Sequence, residues 1–345
     1  MPLPSAIDLE HAHTLLAEDW QRLRDSRIFL AGGTGFVGKW LLATLLEAER
    51  RLELRCRVTV LSRDPGSFRR QVPQLAESPV VDFVRGDVRS FVFPVGTYSH
   101  VIHAATDVTA MVSPLDSFDT CVEGTRRVLD FAVRASACDF LYVSSGAVYG
   151  RQPIGMARIA EDFSGAPDPS RLGSAYGEGK RAAEWLTMAY GSLHPIRVRS
   201  ARCFALIGPY MPLDGQFAAG NFLRDAIAQQ PITILGDGTP YRSYLHASDM
   251  AAWLWAILLK APAGEVYNVG GTEALSISAL AYRIVDVLAS RSSVNVLTAP
   301  SGIVAERYVP DVAKIRRELS LGEPLLLDDA IRRTADWYRQ SACIT

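Results

Sequence analysis

The chain has 345 residues, 48% of them hydrophobic and 21% charged, which excludes a disordered chain and leaves room for one large α/β unit or a nucleotide-binding domain with a smaller lobe. The net charge is -1 and the arginines are spread along the whole length, so the basic stripe of a nucleic-acid-binding protein is missing. The longest apolar run, Met250 to Leu259, ends at Lys260 and is about half of what a bilayer crossing needs, so it reads as a buried helix and no membrane partner is expected.

Leu9, Leu16, Trp20 and Leu23 recur at roughly helical spacing and predict one amphipathic helix, an N-terminal extension over 1–25 that lies on the main domain. No basic-then-apolar leader is visible. The cysteines, Cys56, Cys121, Cys138, Cys203 and Cys343, are odd in number, widely spaced and without a C-x-x-C pair. They predict free thiols in a reducing cytoplasm and no metal site.

Beyond the extension, short β-rich runs alternate with helical stretches. Strands are predicted at Arg27 to Ala31, Arg57 to Leu61, Val80 to Val84, His100 to Ala104, Phe140 to Ser144 and Arg197 to Ala201. Helices are predicted near Val37 to Ala48, Ser117 to Ala135 and Ala175 to Tyr190. Such alternation is what a parallel sheet wrapped on both faces requires, a Rossmann-type doubly wound α/β fold over 26–208. After Gly208-Pro209 the elements become shorter, with turns at Gly236-Asp237-Gly238 and Gly270-Gly271, which predicts a smaller lobe over 209–345. Ser248 to Lys260 is apolar enough to pack back on the sheet.

Four segments carry chemistry. The first, Gly32-Gly33-Thr34-Gly35-Phe36-Val37-Gly38, follows an apolar strand and opens a helix. Glycines at 32, 35 and 38 allow a tight turn and the approach of a pyrophosphate to the positive helix end. The second is Leu61-Ser62-Arg63-Asp64, at the strand end where an acidic side chain ordinarily holds the ribose of NAD. With Ser62 in the acidic position and Arg63 after it, the 2′-phosphate of NADP would be accepted. Were the strand to end later, Asp64 would serve NAD. Arg63 as a simple solvated charge is the bland alternative.

The third is Tyr176 and Lys180, four apart on one helix face, where the ammonium can sit near the phenol and favour phenolate. Such a tyrosine could move the proton that accompanies hydride transfer at a carbinol carbon. Gly177 and Gly179 weaken the helix between them and point to close approach of another group. The fourth is Ser144-Ser145-Gly146-Ala147, at a strand end where parallel sheets bind ligands. A hydroxyl there can bond the reacting oxygen, although a lone Ser145 would read as a cap or turn serine.

In this order, the four segments resemble the extended short-chain dehydrogenase/reductases, in particular the NAD-dependent epimerase/dehydratase family of sugar-nucleotide enzymes, from about Arg27 to Tyr338. The resemblance implies a catalytic set of Ser145, Tyr176 and Lys180. It implies that Asp87 and Val88 contact adenine and that Ala104 and Ala105, after His103, line the cofactor. It places Asn221 and Arg242 on the nucleotide diphosphate. It also assigns Tyr267-Asn268-Val269-Gly270 and Asp336-Trp337-Tyr338 to the substrate lobe, and implies a homodimer through the helices Ser117 to Ala135 and Ala175 to Tyr190.

The departures bear on the reaction. Family dehydratases carry Asp-Glu after the active-site hydroxyl and the related decarboxylases a glutamate, whereas this chain has Gly146-Ala147. Without a carboxylate, elimination of water lacks its proton carriers. What remains is redox at one carbon. One expectation is a reductase of an NDP-4-keto-6-deoxyhexose, for which the Ser62-Arg63 pair favours NADP slightly over NAD. The other is an NDP-hexose 4-epimerase with tightly bound NAD. A non-catalytic dinucleotide-binding sensor or scaffold would not require all three catalytic residues. Cys121 stands where the family has a structural asparagine and Ala205 where it has a substrate-side asparagine, and either could alter substrate placement.

Overall fold

The computed structural model describes residues 1–106, 113–215, 217–299, 302 and 304–341. Cys343 lies outside them. The central sheet is built from β1 (Arg27–Ala31), β2 (Arg57–Ser62), β3 (Val81–Arg85), β4 (His100–His103), β5 (Asp139–Ser145), β6 (Arg197–Cys203) and a seventh strand, Val266–Val269. Its order is Val266–Val269, β6, β5, β4, β1, β2, β3, with every pairing parallel. Burial on both faces explains the near-continuous apolar strands: four of the five residues of β1 and all seven of β5 are buried.

The chain winds outward from β1 through β2 to β3, then returns to place β4 on the other side of β1. This reversal opens a crevice beyond the carboxyl ends of β1 and β4, where open α/β sheets bind ligands. Helices Phe36–Leu52, Pro114–Arg134 and Ala175–Leu193 cover the sheet, close to their predicted positions. On one face Phe29, Phe91, Tyr98 and Phe131 form an aromatic cluster, with the Phe29 and Phe131 ring centroids 4.4 Å apart. Trp40, Trp253 and Trp255 anchor the other face.

Three findings differ from the sequence reading. The N-terminal extension is not one helix: Ala6–Leu16 is α-helical, Ala17 takes a φ of 43°, and Ala17–Leu23 continues as a 3-10 turn. The break turns Trp20 into the core, against Trp255 at 5.6 Å, with its indole N–H donating to the His13 carbonyl. A hydrogen bond between His11 and Asp249 (2.7 Å) and an ion pair from Arg333 to Asp8 (3.1 Å) tie the extension to the rest of the chain.

Second, Tyr267-Asn268-Val269 belongs to the edge strand of the main sheet, paired with β6, and not to the lobe. Its residues Tyr267 to Val269 are fully buried, which an apolar strand achieves only inside a covered sheet. Third, strand ends shift by a residue: β2 runs through Ser62 and β4 stops before Ala104. The helix Ala247–Lys260 packs back on the sheet as its composition implies, with every residue from Ala247 to Leu259 buried. Among the described residues, no helix is long and apolar enough to cross a membrane.

The remaining lobe consists of short pairs, including Tyr241–Arg242 between Leu275–Ser276 and Arg307–Tyr308, with helices Ala218–Ile227, Ile277–Val287 and Leu327–Gln340.

Candidate active site

The glycine-rich turn sits at the switch point. Gly32 has a φ of +87°, and a Cβ there would lie 2.6 Å from the Ala104 and Ala105 backbone. A Cβ on Gly38 would lie 2.3 Å from the Gly32 carbonyl oxygen. Both glycines are therefore demanded by backbone crowding, with Ala104-Ala105 as the back wall. Gly35 differs: its nearest neighbour would be 3.5 Å away, and it opens the helix Phe36–Leu52 with no side-chain cap. That leaves the first turn of the helix, at Phe36, Val37 and Gly38, without a side-chain cap, a cradle whose backbone N–H groups fit an anionic diphosphate. Thr34 lies on the same turn.

At the end of β2, Ser62 is buried and its Oγ accepts the Asp64 N–H at 3.2 Å. The Asp64 carboxylate caps the next helix, Pro65–Gln71, by accepting the Ser67 N–H at 3.0 Å. Arg63, between them, is exposed. Asp87, beside Val88, accepts the backbone N–H and the Nε–H of Arg89 at 2.9 and 3.0 Å. These bonds hold its carboxyl below the usual range, and Arg63 acts in the same direction. His103 is enclosed behind this wall with its Nε2 at 3.0 Å from Thr125, and burial pushes its pKa down to about 3.

Ser145 ends β5 and is 8% exposed, its Oγ accepting the Ala147 N–H at 3.2 Å. Tyr176 and Lys180 share one face of the helix Ala175–Leu193. Burial pushes the Tyr176 phenol up, and a side-chain hydrogen bond with Ser145 opposes the shift. The Lys180 ammonium is buried, donates to the Val143 carbonyl at 2.8 Å, and stands 5.9 Å from the Tyr176 ring centroid. Its pKa is lowered by burial. The ammonium is thus held at the foot of the phenol by the strand that carries Ser145.

The glycines on that helix are contact points. A Cβ on Gly177 would lie 2.8 Å from the Ala147 carbonyl oxygen, and one on Gly179 would lie 2.9 Å from Cys121 Cβ. Cys121 therefore fills the gap between the helices Pro114–Arg134 and Ala175–Leu193. One turn beyond Lys180, Glu184 accepts three hydrogen bonds from the Arg202 guanidinium at 2.8 to 3.2 Å. A polar cavity of about 260 Å³ adjoins this ion pair, lined also by Tyr149, Glu161 and Arg181. None of Ser145, Tyr176 and Lys180 lines it.

The lobe contributes what sequence reasoning missed. Tyr308 places its hydroxyl 3.4 Å from Ser145 Oγ, and its ring lies 4.5 Å from that of Phe204. Arg242, next to it in the short sheet, has its guanidinium 5.6 Å from the Tyr308 ring. Arg242 thus reaches the catalytic cluster through Tyr308. Asn221 stands apart: its amide donates to the Gly215 carbonyl at 2.9 Å, and no hydrogen bond joins it to that cluster among the described residues.

A doubly wound parallel sheet, a glycine turn at its switch point and a Ser-Tyr-Lys group at the end of β5 define a dinucleotide-dependent enzyme of the short-chain dehydrogenase/reductase type. Residues 28–270 match the NAD dependent epimerase/dehydratase family, and the chain belongs to it. It is 28% identical over 314 residues to UDP-glucuronic acid decarboxylase 1 of Arabidopsis thaliana, covering 91% of this chain and 70% of the relative. It is also 28% identical to a dTDP-glucose 4,6-dehydratase of Streptomyces antibioticus, over 91% of this chain and 92% of the other. A dTDP-glucose 4,6-dehydratase from Streptomyces venezuelae, solved with NAD, superposes with a TM-score of 0.79 at 26% identity, covering 92% of this chain and 98% of that one. A UDP-glucose 4-epimerase from Thermotoga maritima shares the fold, with a TM-score of 0.77 at 17% identity over 92% of this chain and 99% of that one.

Proposed function

We propose that the protein reduces a nucleotide-linked 4-keto-6-deoxyhexose at C4 and prefers NADPH. The substrate class follows from family membership, since the relatives named above act on UDP- and dTDP-linked sugars. The carrying observation is a Ser145, Tyr176, Lys180 group in which Gly146-Ala147, and not a pair of carboxylates, follow the active-site hydroxyl. Gly146 has no room for a side chain: a Cβ would lie 2.6 Å from the Phe204 ring and 2.7 Å from the Tyr308 hydroxyl. Ala147 brings only a methyl group. Dehydration and decarboxylation, the reactions of those relatives, would lack their acid and base here.

When bound, the dinucleotide supplies the hydride. Tyr176, whose phenol burial keeps protonated, donates its proton to the C4 oxygen. Ser145 polarises the same oxygen. Lys180 holds the nicotinamide ribose and places its positive charge beneath the phenol as the proton leaves. The preference for NADPH rests on the residue types at the end of β2, where Asp64 is engaged in capping its own helix and Ser62-Arg63 brings a hydroxyl and a guanidinium to the position from which an acidic side chain would hold the ribose of NAD.

The test is to denature the purified protein, identify any released dinucleotide, and titrate the protein with NADPH and NADH. An empty site with at least about tenfold preference for NADPH, lost in Arg63→Ala, is expected from one charged phosphate contact. Stoichiometric NAD carried through purification, with epimerisation of a sugar nucleotide and no added cofactor, would replace the reductase by the 4-epimerase.

A further inference from the structure

Ser145 Oγ has two lone pairs and one proton to place. One lone pair is taken by the Ala147 N–H at 3.2 Å. Among the described residues, the hydroxyl within hydrogen-bond distance of Ser145 Oγ is that of Tyr308, at 3.4 Å, and it comes from 163 residues further along the chain. That separation is long for O–H···O, as contacts in unliganded sites commonly are before substrate tightens them. The phenol is well built into its position: its ring lies tilted at 36° against that of Phe204, its strand pairs with the strand of Arg242, and Gly146 leaves the space through which it reaches Ser145.

We propose that Tyr308 is a positioning residue: its hydroxyl donates to Ser145 Oγ and so turns the serine's own proton towards Tyr176 and the reacting substrate oxygen. With both lone pairs occupied, the serine has only its O–H to offer the reaction centre. Burial pushes the Tyr308 phenol up to about 12, so it remains a donor near neutral pH. The inference deepens the proposed reaction and rests on it for the identity of the reacting oxygen. It adds a device by which the lobe that holds the nucleotide sugar completes the hydroxyl group that acts on it.

The experiment uses Tyr308→Phe, which keeps the ring on Phe204 and removes only the hydroxyl. In the whole chain saturated with NADP, Tyr176 ionisation is read as the ultraviolet difference between each protein and its Tyr176→Phe counterpart. Loss of the serine's orientation is expected to raise the Tyr176 titration by about one pH unit, and to raise it no further when Ser145 is already alanine. In turnover of a 4-keto sugar nucleotide, kcat is expected to fall about tenfold with KM unchanged. A Tyr176 titration that stays in place, a shift that adds in full to that of Ser145→Ala, or an unchanged kcat would overturn the proposal. If the titration moves while the wild type consumes no nucleotide sugar, Tyr308 stands as a positioning residue and the proposed reaction falls.

Discussion

Tyr176 is the residue on which the proposed chemistry turns, and its environment separates its role from that of a core tyrosine. A phenol raised by burial and set 5.9 Å, by its ring centroid, from a lysine held at 2.8 Å from the Val143 carbonyl is arranged to give a proton and to recover one. Tyr176→Phe is expected to lower turnover by about 10² to 10⁴-fold while dinucleotide binding survives, measured by stopped assay and by cofactor titration. Unchanged activity would remove the mechanism. Gly38 makes a different prediction at the same scale. Its Cβ would strike the Gly32 carbonyl oxygen at 2.3 Å, so Gly38→Ala is expected to displace the turn and weaken dinucleotide affinity at least about tenfold, with helix content by circular dichroism unchanged.

At the scale of elements, the N-terminal extension behaves as part of the core and not as an appendage. Trp20 is fully buried against Trp255, and Leu16 and Leu23 lie in the same cluster. Trp20→Ala is expected to cost about 3–5 kcal/mol in a chemical denaturation series, the range for truncating a buried aromatic. A loss under about 1 kcal/mol would show that the extension is loosely held. The helix Ala175–Leu193 carries a second expectation. Trp185 is 69% exposed, with Met188 on the same helix and Leu115 and Phe118 on the neighbouring Pro114–Arg134 also exposed. We read this apolar face as the homodimer surface, formed by the same face of a second copy. Trp185→Glu should convert a dimer mass in solution to that of a monomer. A monomeric wild type would refute the reading.

For the whole molecule, the buried histidines set the direction of pH dependence. Burial lowers the pKa of His13, His100, His103 and His246, with His103 reaching about 3. The folded protein therefore takes up protons at lower pH than the unfolded chain, whose histidines titrate near 6.5. As pH falls below about 6.5 the unfolded state binds more protons, and stability declines. The melting temperature is expected to drop steadily from about pH 7.5 to about pH 5. Asp87 and Asp139, held below their usual range, add to the loss at still lower pH. A melting temperature that rises on acidification would contradict this account.

How much of this could be read along the chain depended on the distance over which each signal acts. The glycine turn, β1, the capping segment Ser62-Arg63-Asp64 and the Tyr176, Lys180 spacing are local: backbone crowding, strand burial and helical period act over a few residues and leave a pattern in their order. Those signals were enough for the fold class and for the positions of the glycine turn and of the helix that carries Tyr176 and Lys180. They could not show that Ala17 breaks the extension, because what turns Trp20 inward is Trp255, far along the chain. Nor could they place Val266–Val269 in the main sheet, since its partner β6 lies over 60 residues earlier and an isolated apolar run does not name the strand it pairs with. Tyr308 was invisible for the same reason. A tyrosine in a two-residue strand has no period to reveal it, and only the packing of Phe204, Arg242 and Gly146 around it brings its hydroxyl to Ser145.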